Sequence, residues 1–418
     1  MRASAIGLLV TYVVMGIFRS HPWVVVVCGI FSAVFSSSAE PPLWVMSTYF
    51  PNGEALRGMI SAGNGCAGLI AVILQTIIRA IVYAVSDATT DATKIYFWIF
   101  FGTFYAMLFV SFAIAWFVPK METFRYFEAK AIAMQKGEDQ EAVPLMSDSG
   151  EVVAPKKQPK GLFRFLSWSF LADISLPVCL IFASLFSTLL VWPFMATAYS
   201  SDAQWGNPQI TFDSGDVKML ALADQGWPFN NESMVKWWWS PFVVGAFNLA
   251  DFIGRYIPGM YNWIKYFPLW FCRILASARA AFVVLMVCCI SPDIGMNSSL
   301  LFIVFVFFLG FSNGVVTTAC FITGPTLAKE HKRPDAGSVH VLLLFLGISG
   351  GYFASEPFTR WCIHDGKAAL IFGGVITAVL PWISFVGGLL LKPYNAKRSA
   401  EMDYDVKSQQ PARRSLKD

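Results

Sequence analysis

Ten apolar stretches recur along the chain, at residues 3–18, 23–46, 59–85, 95–118, 171–197, 239–260, 269–290, 300–327, 339–358 and 368–391. A helix of about 20 apolar residues crosses the hydrocarbon core of a bilayer. Each stretch is long enough to span with some tilt, the first only marginally. In lipid the backbone must satisfy its own polar groups, which a helix does within one segment. The pattern therefore predicts an all-α polytopic membrane protein with about ten transmembrane helices.

Two polar segments interrupt the series. Residues 119–168 are charged and carry Lys156, Lys157 and Lys160 near their end. Residues 199–236 are acidic and turn-rich, with Asp202, Asp213, Asp216, Asp224 and Glu232. The first divides the chain into a four-span part over 1–118 and a six-span part over 171–392. Residues 119–170 read as a cytoplasmic linker that is disordered in the middle, and 393–418 as a cytoplasmic tail.

Composition agrees with this reading and sharpens it. Only 14% of the 418 residues are charged, against 56% hydrophobic, whereas a soluble domain carries roughly 25% charged residues. The net charge of +4 says less than where the charge lies. With the N-terminus in the cytoplasm, the long linker, the loop Lys329-Glu330-His331-Lys332-Arg333 and the basic tail all fall inside. The acidic segment then falls outside, together with the glycosylation sequon Asn231-Glu232-Ser233. A second sequon, Asn297-Ser298-Ser299, lies outside as well but close to the membrane. Trp237-Trp238-Trp239 suits an interfacial belt. The first stretch follows one Arg, as in a signal peptide, but no small-residue cleavage site follows, so it reads as a span that stays.

The eight cysteines suggest neither a disulfide framework nor a metal site. Seven lie in apolar stretches, and Cys362 alone reads as exposed. With four His and no Ser/His/Asp or Cys/His constellation, an enzyme finds no support, and no cofactor or nucleic-acid partner is expected.

Ionisable groups inside the apolar stretches are functional candidates, because burying them in a membrane is costly. Asn248, Asp251 and Arg255 follow one another at i, i+3 and i+7 and share one helix face. Asp251 and Arg255 are i,i+4 neighbours, able to pair with each other and still bind a polar ligand, or simply to pin two helices together. Glu40 precedes Pro41-Pro42, where a broken helix would free carbonyls, and has no partner nearby in sequence. It reads either as a titrating cavity carboxylate or as a buried structural acid. Arg279 either lines the cavity or snorkels, as Arg273 does. Arg79, His340 and Glu356 read as interfacial. Glycines at 63, 65 and 68, at 310 and 314, and at 347, 350 and 351 read as close helix packing.

Asn248 with Asp251-Phe252-Ile253-Gly254-Arg255 resembles the eighth-span signature of the equilibrative nucleoside transporter family. Gly310-Phe311-Ser312-Asn313-Gly314, running on to Gly324-Pro325, resembles that family's tenth span, and Pro334-Asp335-Ala336-Gly337 its eleventh. Gly63-Asn64-Gly65-Cys66-Ala67-Gly68 is similar to its fifth, and Trp192-Pro193 to an aromatic-Pro pair in its seventh. The resemblance implies a major-facilitator-like fold of two bundles around a central cavity for nucleosides or nucleobases. It further implies that Asp251, Arg255 and Asn248 contact the solute and that Trp192 lines the cavity.

Three departures shape the expectation. The chain begins at the family's third span, without the two spans that include a Pro-x-x-x-Trp-Asn motif. Glu40 stands where the family commonly has Gln, which opens a route to proton coupling. The stretch at 368–391 is an extra span. The function expected is a plasma-membrane carrier of nucleosides or nucleobases, equilibrative or proton-coupled, with Glu40 among the residues that bind solute. A non-transporting receptor or scaffold, or a carrier of another polar solute such as a sugar, is the alternative.

Overall fold

The computed structural model describes residues 2–18, 21–47, 50, 53–85, 90–126, 128–129, 168–192, 232–260, 263–290, 296, 298–328 and 332–383. Among them are ten α-helices: α1 (Arg2–Ile17), α2 (Pro22–Ser47), α3 (Gly53–Val85), α4 (Thr90–Phe117), α5 (Trp168–Val191), α6 (Glu232–Gly259), α7 (Leu269–Ile290), α8 (Ser299–Leu327), α9 (Arg333–His364) and α10 (Gly366–Val379). Each apolar stretch, over its described residues, overlaps one of these helices. The linker, the acidic segment with Asn231, the second sequon and the tail fall largely or wholly outside the described residues.

Among the described residues, six segments are long and apolar enough to cross a membrane, in or overlapping α3, α4, α5, α7, α8 and α9. Parts of α1 and α10 are apolar but shorter. The molecule is an all-α integral membrane protein that crosses the bilayer several times. Its surface carries the matching signature. Ile70, Ile73, Ile77 and Ile81 of α3 are exposed, as are Phe109, Val110, Ile114 and Phe117 of α4. Several polar side chains, by contrast, are buried inside, among them Ser184, Thr188, Asp251, Arg279 and Asn313. Such an inversion is stable only where lipid replaces water.

Local chemistry sets the helix ends. The Ser298 hydroxyl accepts from Leu301 N–H at 3.3 Å and opens α8. Pro334 stands in the first turn of α9, where no N–H is needed. Asp365 lies between α9 and α10 and caps the latter through Ala368 N–H at 3.1 Å. Prolines lie inside α2, α5, α6, α8 and α9, which run on through them, so Pro41-Pro42 does not break α2, contrary to expectation. Packed neighbours make this tolerable within a membrane.

Helix α6 lies at the centre, packed between α3 and α8, while α5 packs on α9 and α7 on α10. Glycine allows both contacts of α6. A Cβ on Gly58 of α3 would stand 2.9 Å from Gly259 Cα, and one on Gly65 would stand 3.0 Å from Phe252 Cα. Across the other face, a Cβ on Gly310 of α8 would stand 2.6 Å from the Phe247 carbonyl. Backbones this close gain dispersion along their length, the main attraction available to helices in lipid.

Two sequence expectations are corrected here. Cys362 is fully buried, because α9 continues past the apolar stretch to His364 and turns this thiol into the cluster around Trp239 and Phe302. His340 is also fully buried rather than interfacial. Helix α9 starts six residues earlier than its apolar stretch, at Arg333, and this places His340 two turns inside it against α8. Glu356 is exposed and pairs with Arg360 at 2.7 Å, as an interfacial residue should.

Candidate functional site

Asp251 lies at the buried centre of α6, and Arg255 one turn on donates from Nε to its Oδ2 at 2.6 Å. The helical i,i+4 geometry brings the two together, as the spacing predicts. The other carboxylate oxygen, Oδ1, accepts from Asn313 Nδ2 of α8 at 2.9 Å. Gly314, next to Asn313, lets α8 approach closely enough for this bond, since a Cβ there would stand 2.7 Å from Arg255 N. The stem of Arg255 rests on Gly65 of α3. The pair therefore sits where α3, α6 and α8 meet.

Behind Asn313 the polar system continues. Its Oδ1 accepts from Ser184 Oγ at 3.2 Å and is 3.1 Å from Thr188 Oγ1, both on α5. Arg279 of α7 reaches the same two hydroxyls and donates to the Ser184 carbonyl at 2.7 Å. Arg279 is 0% exposed, so it does not snorkel. Its long stem stays in the core because α5 offers three oxygens there. Sequence reasoning missed Asn313, Ser184 and Thr188 as members of this site. The available signal was a set of hydrogen-bonding side chains inside apolar stretches, which a membrane core tolerates only when they are paired.

The other expected site residues are more scattered. Asn248 shares the face of Asp251 but donates to its own helix, at the Val244 carbonyl, at 2.9 Å. Its amide oxygen fills the space left by Gly68 of α3. Trp192 is buried and stacks on Phe247 of α6, with ring centroids 5.0 Å apart and planes at 14°. Glu40 of α2 has two partners that its immediate sequence did not suggest. Trp44 Nε1 donates to Oε1 at 3.1 Å and Asn64 Nδ2 of α3 at 3.2 Å. Asn64 precedes Gly65, so Glu40 and Arg255 contact adjacent positions of α3.

A further contact set crosses from α2 and α3 to α8. Arg57 is 3% exposed and donates from Nε to the Ile322 carbonyl at 3.2 Å. Ser61 and Thr318 share a hydrogen bond at 2.5 Å. Trp44 stacks on Phe321 at 4.0 Å. All lie towards the end of the molecule where α2 finishes and α3 begins.

Residues 231–358 match the model of the nucleoside transporter family. This segment runs from α6 into α9 and holds Asn248, Asp251, Arg255, Arg279 and Asn313. Over this segment the chain is similar to nucleoside transporters. A curated relative, human equilibrative nucleoside transporter 1, is 30% identical over 118 residues. That match covers 27% of this chain and 26% of the relative. The family model thus takes in the central ion pair and its support from α7 and α8, while Glu40 and Trp192 lie outside the matched residues.

Proposed function

We propose that the protein is a membrane carrier of nucleosides or nucleobases that works by alternating access. The observation that carries this reading is the Asp251–Arg255 pair. It is buried among α3, α6 and α8 and lies in the segment that matches the nucleoside transporter family. A carboxylate with both oxygens already oriented suits ribose hydroxyls, and a guanidinium suits the acceptor edge of a base or sugar. Asn248 adds an amide on the same face, Trp192 an aromatic surface for the base, and Glu40 a second acid from α2.

In this reading helices within 1–118 form one bundle and those within 171–392 the other, in a major-facilitator-like arrangement with the solute between them. Residues 119–170 link the bundles. Most of the Lys and Arg lie in segments that this topology puts in the cytoplasm, with both termini there and Asn231 outside. The plasma membrane is the expected residence. Transport is equilibrative, or proton-coupled through Glu40.

The test is uptake of radiolabelled adenosine, inosine and hypoxanthine by transport-deficient cells expressing the full gene product. Saturable uptake of at least one is expected. Asp251→Ala should lower it by about tenfold or more at unchanged surface level, the loss expected for a charged hydrogen-bond partner. A protein that reaches the surface and takes up none of the three is not this carrier. Uptake of a sugar that excess purine nucleoside does not inhibit assigns it to another solute.

A further inference from the structure

We propose that Arg279 is a positioning residue that aims Asp251 at the hydroxyls of the sugar. The proposal rests on the carrier reading above and extends it to the basis of selectivity. Arg279 is fully buried, and its guanidinium meets oxygens of α5 rather than a carboxylate. A charge buried this way is expensive, and an apolar side chain would join α5 to α7 at lower cost. What an apolar side chain could not do is set the direction of the protons.

Arg is a donor only. By donating to the hydroxyl oxygens of Ser184 and Thr188, Arg279 occupies their lone pairs and leaves their protons to be given elsewhere. The Ser184 carbonyl already accepts from Arg279 at 2.7 Å and from Ser187 at 3.1 Å. Thr188 is within 2.7 Å of the same carbonyl, but it has one proton to give, and Asn313 Oδ1 is the less crowded acceptor. Donors on Oδ1 fix the Asn313 amide with its Nδ2 towards Asp251. The chain therefore runs in one sense, from Arg279 through the α5 hydroxyls and Asn313 to Oδ1, while Arg255 holds Oδ2. Each link polarises the next. Reversing the amide would turn its carbonyl onto the carboxylate and swing Asp251 away.

A carboxylate fixed on both oxygens presents its remaining lone pairs in set directions. A site built to bind hydroxyls discriminates strongly against an analogue that lacks them. Arg279 thus acts through Asp251 on the choice between a ribose and its deoxygenated form.

The experiment compares uptake of adenosine and 2′,3′-dideoxyadenosine by wild type, Arg279→Gln, Arg279→Lys and the paired variant Ser184→Ala/Thr188→Val, each normalised to surface protein. Arg279→Gln is expected to raise the KM for adenosine about tenfold and to leave that for the dideoxy analogue within about twofold, so that discrimination collapses. The paired variant keeps the cation and removes the relay, and it should do the same even if Arg279→Gln fails to reach the surface. Arg279→Lys should recover part of the preference. Equal losses for both solutes at the surface, or an unchanged adenosine KM, overturn the proposal. If Asp251→Asn abolishes discrimination and neither Arg279→Gln nor the paired variant does, the carrier reading stands and this one falls. A wild type that takes up hypoxanthine or inosine but neither of these solutes overturns the proposal and leaves the carrier reading standing, whereas one that takes up none of them brings down both.

Discussion

Glu40 receives both of its hydrogen bonds on one oxygen, from Trp44 and Asn64. A glutamine there would keep an Oε1 acceptor for both donors while losing the charge and the ability to exchange a proton. Glu40→Gln is therefore expected to fold and reach the surface, and to abolish any difference in uptake between mildly acidic and neutral medium. An identical pH profile in wild type and variant would count against coupling through Glu40. The residues of the site were unequally legible in the sequence. Asp251 and Arg255 could be paired from the sequence because their geometry is internal to one helix. The partners of Arg279 and Asn313, and Asn64 at Glu40, come from other helices, and no spacing along the chain encodes those meetings; Trp44, one turn from Glu40 on α2, was within reach of the sequence and was missed. Cys362 and His340 were misread because their burial depends on how far α9 extends beyond its apolar stretch at each end.

Hydropathy alone located the ten long helices among the described residues, since each must satisfy its own backbone in lipid, but not the helical residues 122–126 in the segment read as a linker. It also marked the glycine clusters as packing sites without saying which glycines are in contact. Gly63 has nothing within 4 Å of a Cβ, whereas the ring of His340 on α9 occupies the space a Cβ on Gly324 of α8 would need. His340 Nδ1 is held at 2.6 Å from its own Ala336 carbonyl, so the ring cannot easily swing aside. Gly324→Ala is expected to destabilise the protein by about 1–3 kcal/mol through overpacking. Gly63→Ala should be neutral or stabilise by up to about 1 kcal/mol, because glycine inside a helix is entropically unfavourable. Thermal unfolding of the two purified variants in detergent checks both. A Gly324→Ala melting curve equal to that of wild type would show that α8 and α9 separate more readily than their fit suggests.

At the scale of the molecule, α2 and α3 meet α8 through Trp44 on Phe321, Ser61 on Thr318 and Arg57 on Ile322. In the proposed alternating-access cycle this end must open at some stage. Cysteines placed as Ser61→Cys and Thr318→Cys should cross-link under mild oxidation and stop uptake, with recovery on reduction. A cross-linked carrier that still transports at the wild-type rate would mean that these helices move as one body. The same contacts have a kinetic meaning. None of them includes Asp251, Arg255 or Asn248, so they must be broken whether the carrier is loaded or empty. Their strength enters the barrier for the empty form to return as fully as it enters the barrier for delivery. If the proposed carrier is right, a protein held this firmly at one end should exchange solute across the membrane faster than it moves solute in one direction, and loosening Trp44 from Phe321 should narrow that gap.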